Sequence, residues 1–539
     1  MPSTFLLATL VLAGIPDGSQ PVRSNDPAEL PPEAAAAIPA EPLSRAVPGL
    51  FRAGENVRTL AAVDANAIAN ADAEASACAD CPGGKRVRTG LVRSLPLPMT
   101  QFETVVTPLN RDQSMWTFAV RSPGSIRTRL RFLDLDLRGG SMIVWSEGSN
   151  GPVVRGTYRG QGPDNDGELW TASVPGDTVY VEIIGREVPV FTVAEVVHQD
   201  RDEAPHAAGD EAPHAAGDDE QDDGTNGNGV FSCHNDAMCF SSSYDIPRRA
   251  TGQMNFVSGG SSYVCSGTLL NDTDNETFAP YFLTAYHCMH TETEANTLEV
   301  VWLWQKDGCN GVLPDYDTLP RSTGADMLAS QSTDSLNDMS FMRLDGLLPA
   351  GLAFAGWTTA HPSQSVGFHH PSGSWKRATD FEAVGICLYC VCKDSSDYDY
   401  YKMVDGLVEG GSSGSGMFTT GGQLSGQLLG RCGVSSPDNM NCSNIDDYAA
   451  MYGEFEESYE AVNFWLEELG GTIWANAAQP EFPLQNGGPS FPFNTVSEAY
   501  NASFDGAQIK MIAGSYPGTI TMTKILTIKS VNGSATIGQ

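Results

Sequence analysis

Pro280-Tyr281-Phe282-Leu283-Thr284-Ala285-Tyr286-His287-Cys288 is an apolar run of strand length that stops on a histidine and a cysteine. A histidine after a strand is more often a satisfied core or surface residue. This one has a neighbour, Cys288, able to pair with Cys265 in Val264-Cys265-Ser266-Gly267 and so to fix the turn that carries it. Fifty-one residues further on, Asn337-Asp338-Met339-Ser340-Phe341 places an acid before a β run. Seventy-five beyond that, Glu409-Gly410-Gly411-Ser412-Ser413-Gly414-Ser415-Gly416 sets a serine among glycines, which alone reads equally well as a flexible loop.

The three in order change that balance. A neutral hydroxyl is a poor nucleophile at physiological pH, so Ser413 needs His287 to take its proton and return it to the leaving amine, with Asp338 orienting the imidazole. The glycines let the N–H groups of Gly411 and Ser413 converge on a developing oxyanion, roughly 3 to 4 kcal/mol per donor in comparable sites. The order His, Asp, Ser differs from that of subtilisin-type and α/β-hydrolase chains.

Thr-Ala-x-His-Cys and Gly-x-Ser-Gly resemble the trypsin-like serine proteases, and Ser232 to Leu469 resembles their bacterial lysyl endopeptidase branch. The resemblance implies an all-β fold of two six-stranded β-barrels with a C-terminal helix, hydrolysing peptide bonds through an acyl-enzyme. It also implies the pairs Cys233 with Cys442, Cys239 with Cys309 and Cys265 with Cys288. His369 and His370, in Phe368-His369-His370-Pro371, are family matches with a structural role. Where lysyl endopeptidases carry the Asp that reads a substrate lysine, this chain has Ala450, and where they carry a pocket histidine it has Leu429. Leu407, Val408, Leu429, Gly430 and Ala450 then line an apolar S1 pocket, in which an unpaired lysine would be costly to bury. Realigning the loop to Asp446 or Asp447 is the alternative that restores lysine. Ser412 stands where trypsin has the Asp that pairs with the new N-terminal ammonium, so control is expected to come from the prosegment.

The rest of the 539 residues is organised around this domain. Residues 1–19 contain Phe5 to Gly14, an apolar core of signal-peptide length, too short to span a bilayer, though no Lys or Arg precedes it. A buried precursor segment is the other reading. Residues 20–89, rich in Ala, Pro and acids, read as a disordered prosegment. Cys78 and Cys81 within it suit a local disulfide better than a redox site. Residues 90–198 alternate apolar and polar between Gly-rich turns, predicting a β-sandwich prodomain without a second set of catalytic groups. Residues 199–229 are an acidic linker in which Asp202 to Gly209 is repeated as Asp210 to Gly217, a segment open to proteolytic maturation. His206 and His214 are copies within that spacer. The protease domain is assigned to 230–475, with a helix at about Tyr459 to Leu469, and 485–539 reads as a short β-helix-like tail.

Twelve cysteines, an even number spread over the chain, suit disulfides in an oxidising compartment. Cys387, Cys390, Cys392 and Cys432 are surplus to the family frame; two further disulfides are favoured over a zinc site, with their pairing open. With 31 basic against 66 acidic residues, the net charge of -35 excludes nucleic acid and anionic membrane as natural partners. The expectation is therefore a secreted serine endopeptidase, made as a proenzyme and exported by a bacterial-type signal peptide. Its partners are protein or peptide substrates and its own prosegment, acting as intramolecular chaperone or inhibitor, with no integral membrane contact; neither metal nor cofactor is implied. The rival class is a catalytically inactive trypsin-like binding or adhesion module.

Overall fold

Apolar strands too short to bury both faces alone must close on themselves or stack, and this chain does both. The computed structural model describes residues 22–30, 41–76, 86–163, 165–201, 230–274, 277–334, 336–384, 397–433, 440–469, 471–478, 485, 487–489 and 491–538. The signal-peptide residues, Cys78, Cys81, Cys387, Cys390, Cys392 and 202–229 of the linker, with His206 and His214, lie outside these.

The second barrel is a closed six-stranded ring. Arg377–Ala383, Gln364–His369, Gly416–Thr419, Leu424–Gly433, Tyr448–Glu454 and Tyr398–Asp405 pair in that order, and the last returns to the first. The first barrel runs Arg321–Thr323, Glu299–Val301, Thr251–Ser258, Ser261–Leu270, Tyr281–Ala285, Met339–Leu344 and Ala325–Gln331. Its first and last members are separated only by Gly324, so the ring is nearly closed. One apolar cluster spans the seam, joining Leu269, Phe282, Phe341 and Trp302 to Phe368, Phe418 and Leu424.

A helix, Phe455–Asn463, closes the domain, and Tyr459, Val462 and Leu466 are buried as the sequence expects. It starts four residues earlier than the apolar pattern suggests, because Glu456 and Glu457 fill its first turn, where carboxylates are favoured. From Phe464 to Leu469 it widens into a π turn.

Strands Val87–Thr100, Arg127–Asp136, Val190–Gln199 and Val174–Pro175 face a second sheet of Val57–Thr59, Ser114–Arg121, Thr178–Gly185, Ser141–Gly148 and Gly151–Arg159. Phe118, Phe132, Phe191, Val144 and Val181 fill the space between the two sheets. The first sheet does not end there. Val87–Thr100 pairs with Ser261–Leu270, bringing Leu91 opposite Ser261 and Val87 opposite Val264, so sandwich and first barrel share one sheet.

Disorder across 20–89 is not what the described part contains. Residues 65–76 form a helix, Val57–Thr59 adds a strand to the sandwich, and Ala28–Glu29 pairs with Ala353–Phe354 across the protease. These pieces have too few apolar residues for a core and fold by docking: Leu50, Leu60 and Ala71 are buried, and Arg88 pairs with Asp72 at 2.6 Å and Asp200 at 2.8 Å.

The tail begins earlier than the linker composition suggests. Thr472–Ala475, placed in the protease domain by the sequence, is the first of three parallel strands with Gln508–Tyr516 and Thr527–Ile537. A capped helix, Val496–Asn501, intervenes. Phe504 and Ala507 join the protease core cluster, so the coil is seated on the first barrel.

Candidate active site

The strand Tyr281–Ala285 ends in a turn whose geometry is dictated by Asp338. Tyr286 N donates to Asp338 O at 3.1 Å, His287 N to Asp338 Oδ1 at 2.9 Å, and His287 Nδ1 lies 2.7 Å from Asp338 Oδ2. Thr333 Oγ1 adds a donor to Oδ1 at 2.6 Å. Asp338 is wholly buried and sits at φ 60°, a left-handed backbone that non-glycine residues adopt at some cost. Since a carboxylate only accepts, the hydrogen between it and the ring is carried on Nδ1, and Nε2 is left as the basic nitrogen.

Ser413 lies against the same strand end. Its carbonyl accepts from Ser266 N at 2.8 Å, and Cys265 beside Ser266 is bonded to Cys288 beside His287. Gly414 is at φ 78°, and a Cβ there would sit 2.1 Å from Thr284 Oγ1 and 2.8 Å from Ala285 N, so only glycine lets the loop come this close. Gly411, at φ 89°, has the same restriction, with His370 O and Ser372 N each 2.8 Å from a Cβ.

The carbonyls leading up to Ser413 are held. Gly410 O accepts from Ser372 N at 2.7 Å, Gly411 O from Ser266 Oγ at 2.9 Å, and Ser412 O from Ser415 N at 3.1 Å. In a trans peptide the N–H points opposite the preceding C=O. Bonds to Gly410 O and Ser412 O therefore turn the N–H groups of Gly411 and Ser413 to the other side, where among the described residues neither has an acceptor. Ser372, which holds Gly410 O, is itself at φ 50°.

Of the expected pocket residues, Leu407, Val408 and Ala450 share one buried cluster with Met417, Leu428 and Tyr452. Leu429 points elsewhere, packing with Tyr398, Cys432 and Met451, and a register shift separates Leu428 from Gly430, which lies opposite Met451. Arg431 Nη1 donates to Val408 O at 2.6 Å, placing a guanidinium beside the pocket wall that sequence reasoning missed. Asp446 is exposed and pairs with Lys402 at 2.9 Å.

The bonds Cys233 to Cys442, Cys239 to Cys309 and Cys265 to Cys288 are all formed. Cys432 is also disulfide-bonded, to a partner outside the described residues. The N-terminal region reaches the site: Arg86 Nε donates to His287 O at 2.5 Å and its Nη1 to Ser258 Oγ at 3.0 Å. No spacing signal marks Arg86, Ser266, Thr333 or Ser372, whose roles arise only when the barrels close.

Residues 228–449 match the family model for lysyl endopeptidase, C-terminal domain. Lysyl endopeptidase of Pseudomonas aeruginosa is 27% identical over 486 residues, covering 85% of this chain and 99% of its own. Among solved structures, the thermostable serine protease AL20 from an extremophilic microorganism is 13% identical, covers 40% of this chain and 98% of its own, and has a TM-score of 0.27. A Glu endopeptidase in complex with MPD is 16% identical, with 44% and 98% covered and a TM-score of 0.27.

Proposed function

We propose that this chain, a trypsin-like serine endopeptidase of the lysyl endopeptidase type, acts through His287, Asp338 and Ser413 and is made as a secreted proenzyme. The observation that carries the triad is the pair of bonds from His287 Nδ1 and N to the two oxygens of Asp338, at 2.7 and 2.9 Å. They leave Nε2 to take the Ser413 proton as Oγ attacks the scissile carbonyl and to return it to the leaving amine, after which water releases the acyl group. Gly411 N and Ser413 N receive the oxyanion. A fluorophosphonate probe is expected to label the matured enzyme and not Ser413→Ala. Absence of labelling in the wild-type chain would favour the inactive binding module.

The apolar walls Leu407, Val408 and Ala450 support a preference for an apolar P1 side chain over lysine. Asp446, the alternative reader of a lysine, is engaged with Lys402 on the surface. A fluorogenic peptide panel that cleaves fastest after Lys would refute this.

Latency is assigned to the prosegment. The strand Val87–Thr100 covers the barrel edge beside the site, and Arg86 rests on the carbonyl of His287. Cleavage within 199–229 would free it, and residues 22–30, laid across the protease, suit a folding aid. Among the described residues no helix is long and apolar enough to cross a membrane. Full activity of an uncut chain would argue against control by the prosegment.

A further inference from the structure

His369 closes the strand Gln364–His369 and is wholly buried. Its Nδ1 lies 2.8 Å from Ser412 Oγ and its Nε2 3.1 Å from Thr379 Oγ1. The hydrogens in this chain follow from valence. Thr379 has one hydroxyl hydrogen and gives it to Leu407 O at 2.9 Å, so at the other contact the ring donates from Nε2. Burial, reinforced by His234 and Arg377 nearby, holds the imidazole neutral. Nδ1 is then bare and accepts from Ser412 Oγ–H, while Ser412 Oγ accepts from Glu409 N at 3.2 Å.

One ring therefore grips both ends of the segment from Leu407 to Ser412, within which the carbonyls of Gly410 and Gly411 are separately held. The segment contains one of the two N–H groups assigned to the oxyanion and precedes the other. We infer that His369 is the positioning residue of the oxyanion loop. Its neutral relay through Ser412 and Thr379 does the work that trypsin-type enzymes give to an aspartate and an N-terminal ammonium. This rests on Ser413 being the nucleophile. Every atom of the relay comes from residues 369–412, so the loop is set before the linker is cut, and cleavage has only to remove the prosegment from His287.

The test compares kcat, KM and the affinity of a peptide aldehyde across mature wild type, His369→Leu, His369→Asn and Ser412→Ala. An aldehyde becomes a hemiacetal whose oxygen uses the same two donors as the transition state, whereas ground-state peptide binding does not. In His369→Leu, kcat and aldehyde affinity are expected to fall together by about a hundredfold, the scale of one oxyanion donor, with KM within about threefold. His369→Asn, whose amide oxygen can accept from Ser412, is expected to recover about tenfold of that loss. If the Leu variant does not accumulate, Ser412→Ala carries the same comparison, because it removes the donor and leaves the ring in place. Parallel losses of kcat and aldehyde affinity support the inference; kcat and aldehyde affinity within twofold of wild type, or a change confined to KM and thermal stability, would sink it. Activity persisting in Ser413→Ala would instead sink the assignment beneath it.

Discussion

The molecule has two seams, built from different chemistry. Between the barrels the seam is apolar, with Leu269, Phe282, Phe368 and Phe418 in one cluster that also takes in Ala285, Cys288 and Met339, the sequence neighbours of His287 and Asp338. Between the sandwich and the first barrel it consists of strand pairing and ions: Leu91 opposite Ser261, Arg127 with Asp317 at 2.5 Å, and Ser173 N donating to the buried Glu299 at 2.8 Å. Separating an apolar seam exposes surface at about 25 cal/mol per Å², with nothing to replace the contacts. A seam of backbone and ionic hydrogen bonds exchanges its partners for water, each backbone bond contributing about 1 kcal/mol and each ionic one about 1.5 to 3 kcal/mol. Separating the first seam is therefore the costlier of the two.

Asp338→Asn attacks the apolar seam where its chemistry sits. The amide would present a donor to Nδ1 or leave the wrong tautomer, so kcat is expected to fall about 10⁴-fold while the fold is retained. A loss below tenfold would mean that the carboxylate does not orient His287. Arg88→Met attacks the sandwich side. It removes the buried cation shared by Asp72 and Asp200; Arg201 stays 2.5 Å from Asp72 and 3.9 Å from Asp200, so the loss is expected to be about 1 to 3 kcal/mol, below that of a fully stranded buried charge. Thermal unfolding of the uncut Ser413→Ala chain, with and without Arg88→Met, should show the loss. An Arg88→Met chain that melts with its parent would show that this ion cluster does not hold residues 65–76 and 200 to the sandwich.

The candidate site was more legible in the sequence than the architecture around it. Catalysis demands particular residue types beside particular backbone shapes, so His287 after its strand and Ser413 among glycines stand out of the chain. Residues 22–76 do not, because their order comes from docking. A single Leu50 or Ala71 makes no period, and the pairing of Arg88 with Asp200 spans more than a hundred residues. The strand Thr472–Ala475 was hidden for a similar reason: four residues acquire a strand's identity only from the parallel neighbour Gln508–Tyr516. Leu429 was read as pocket wall from its place in a motif, yet the register shift beside it sends the side chain to Tyr398. Bulges of this kind reverse a side chain's direction without leaving a mark in composition.

A titrating contact in the connection between the barrels gives the smallest expected effect. His361 places Nδ1 2.9 Å from Asp399 and Nε2 3.1 Å from Glu456, with Glu454 at 3.9 Å. The hydrogen bond to Asp399, helped by the other carboxylates, raises its pKa to about 9, while burial and the neighbouring acids push Glu454 up to about 8. Both groups hold protons more tightly folded than unfolded. Stability from His361 is complete below its ordinary value of 6.5 and is lost as pH rises through about 9, and Glu454 slopes the same way from 4.5 to about 8. His361→Gln should therefore melt slightly below wild type at pH 6, with the gap closing by about pH 10, where the imidazole is neutral in both states. The histidine is nearly half exposed and solvent screens the pair, so a shift of only a few degrees is expected. A gap that widens with pH would show that the carboxylates, and not the imidazolium, hold this connection.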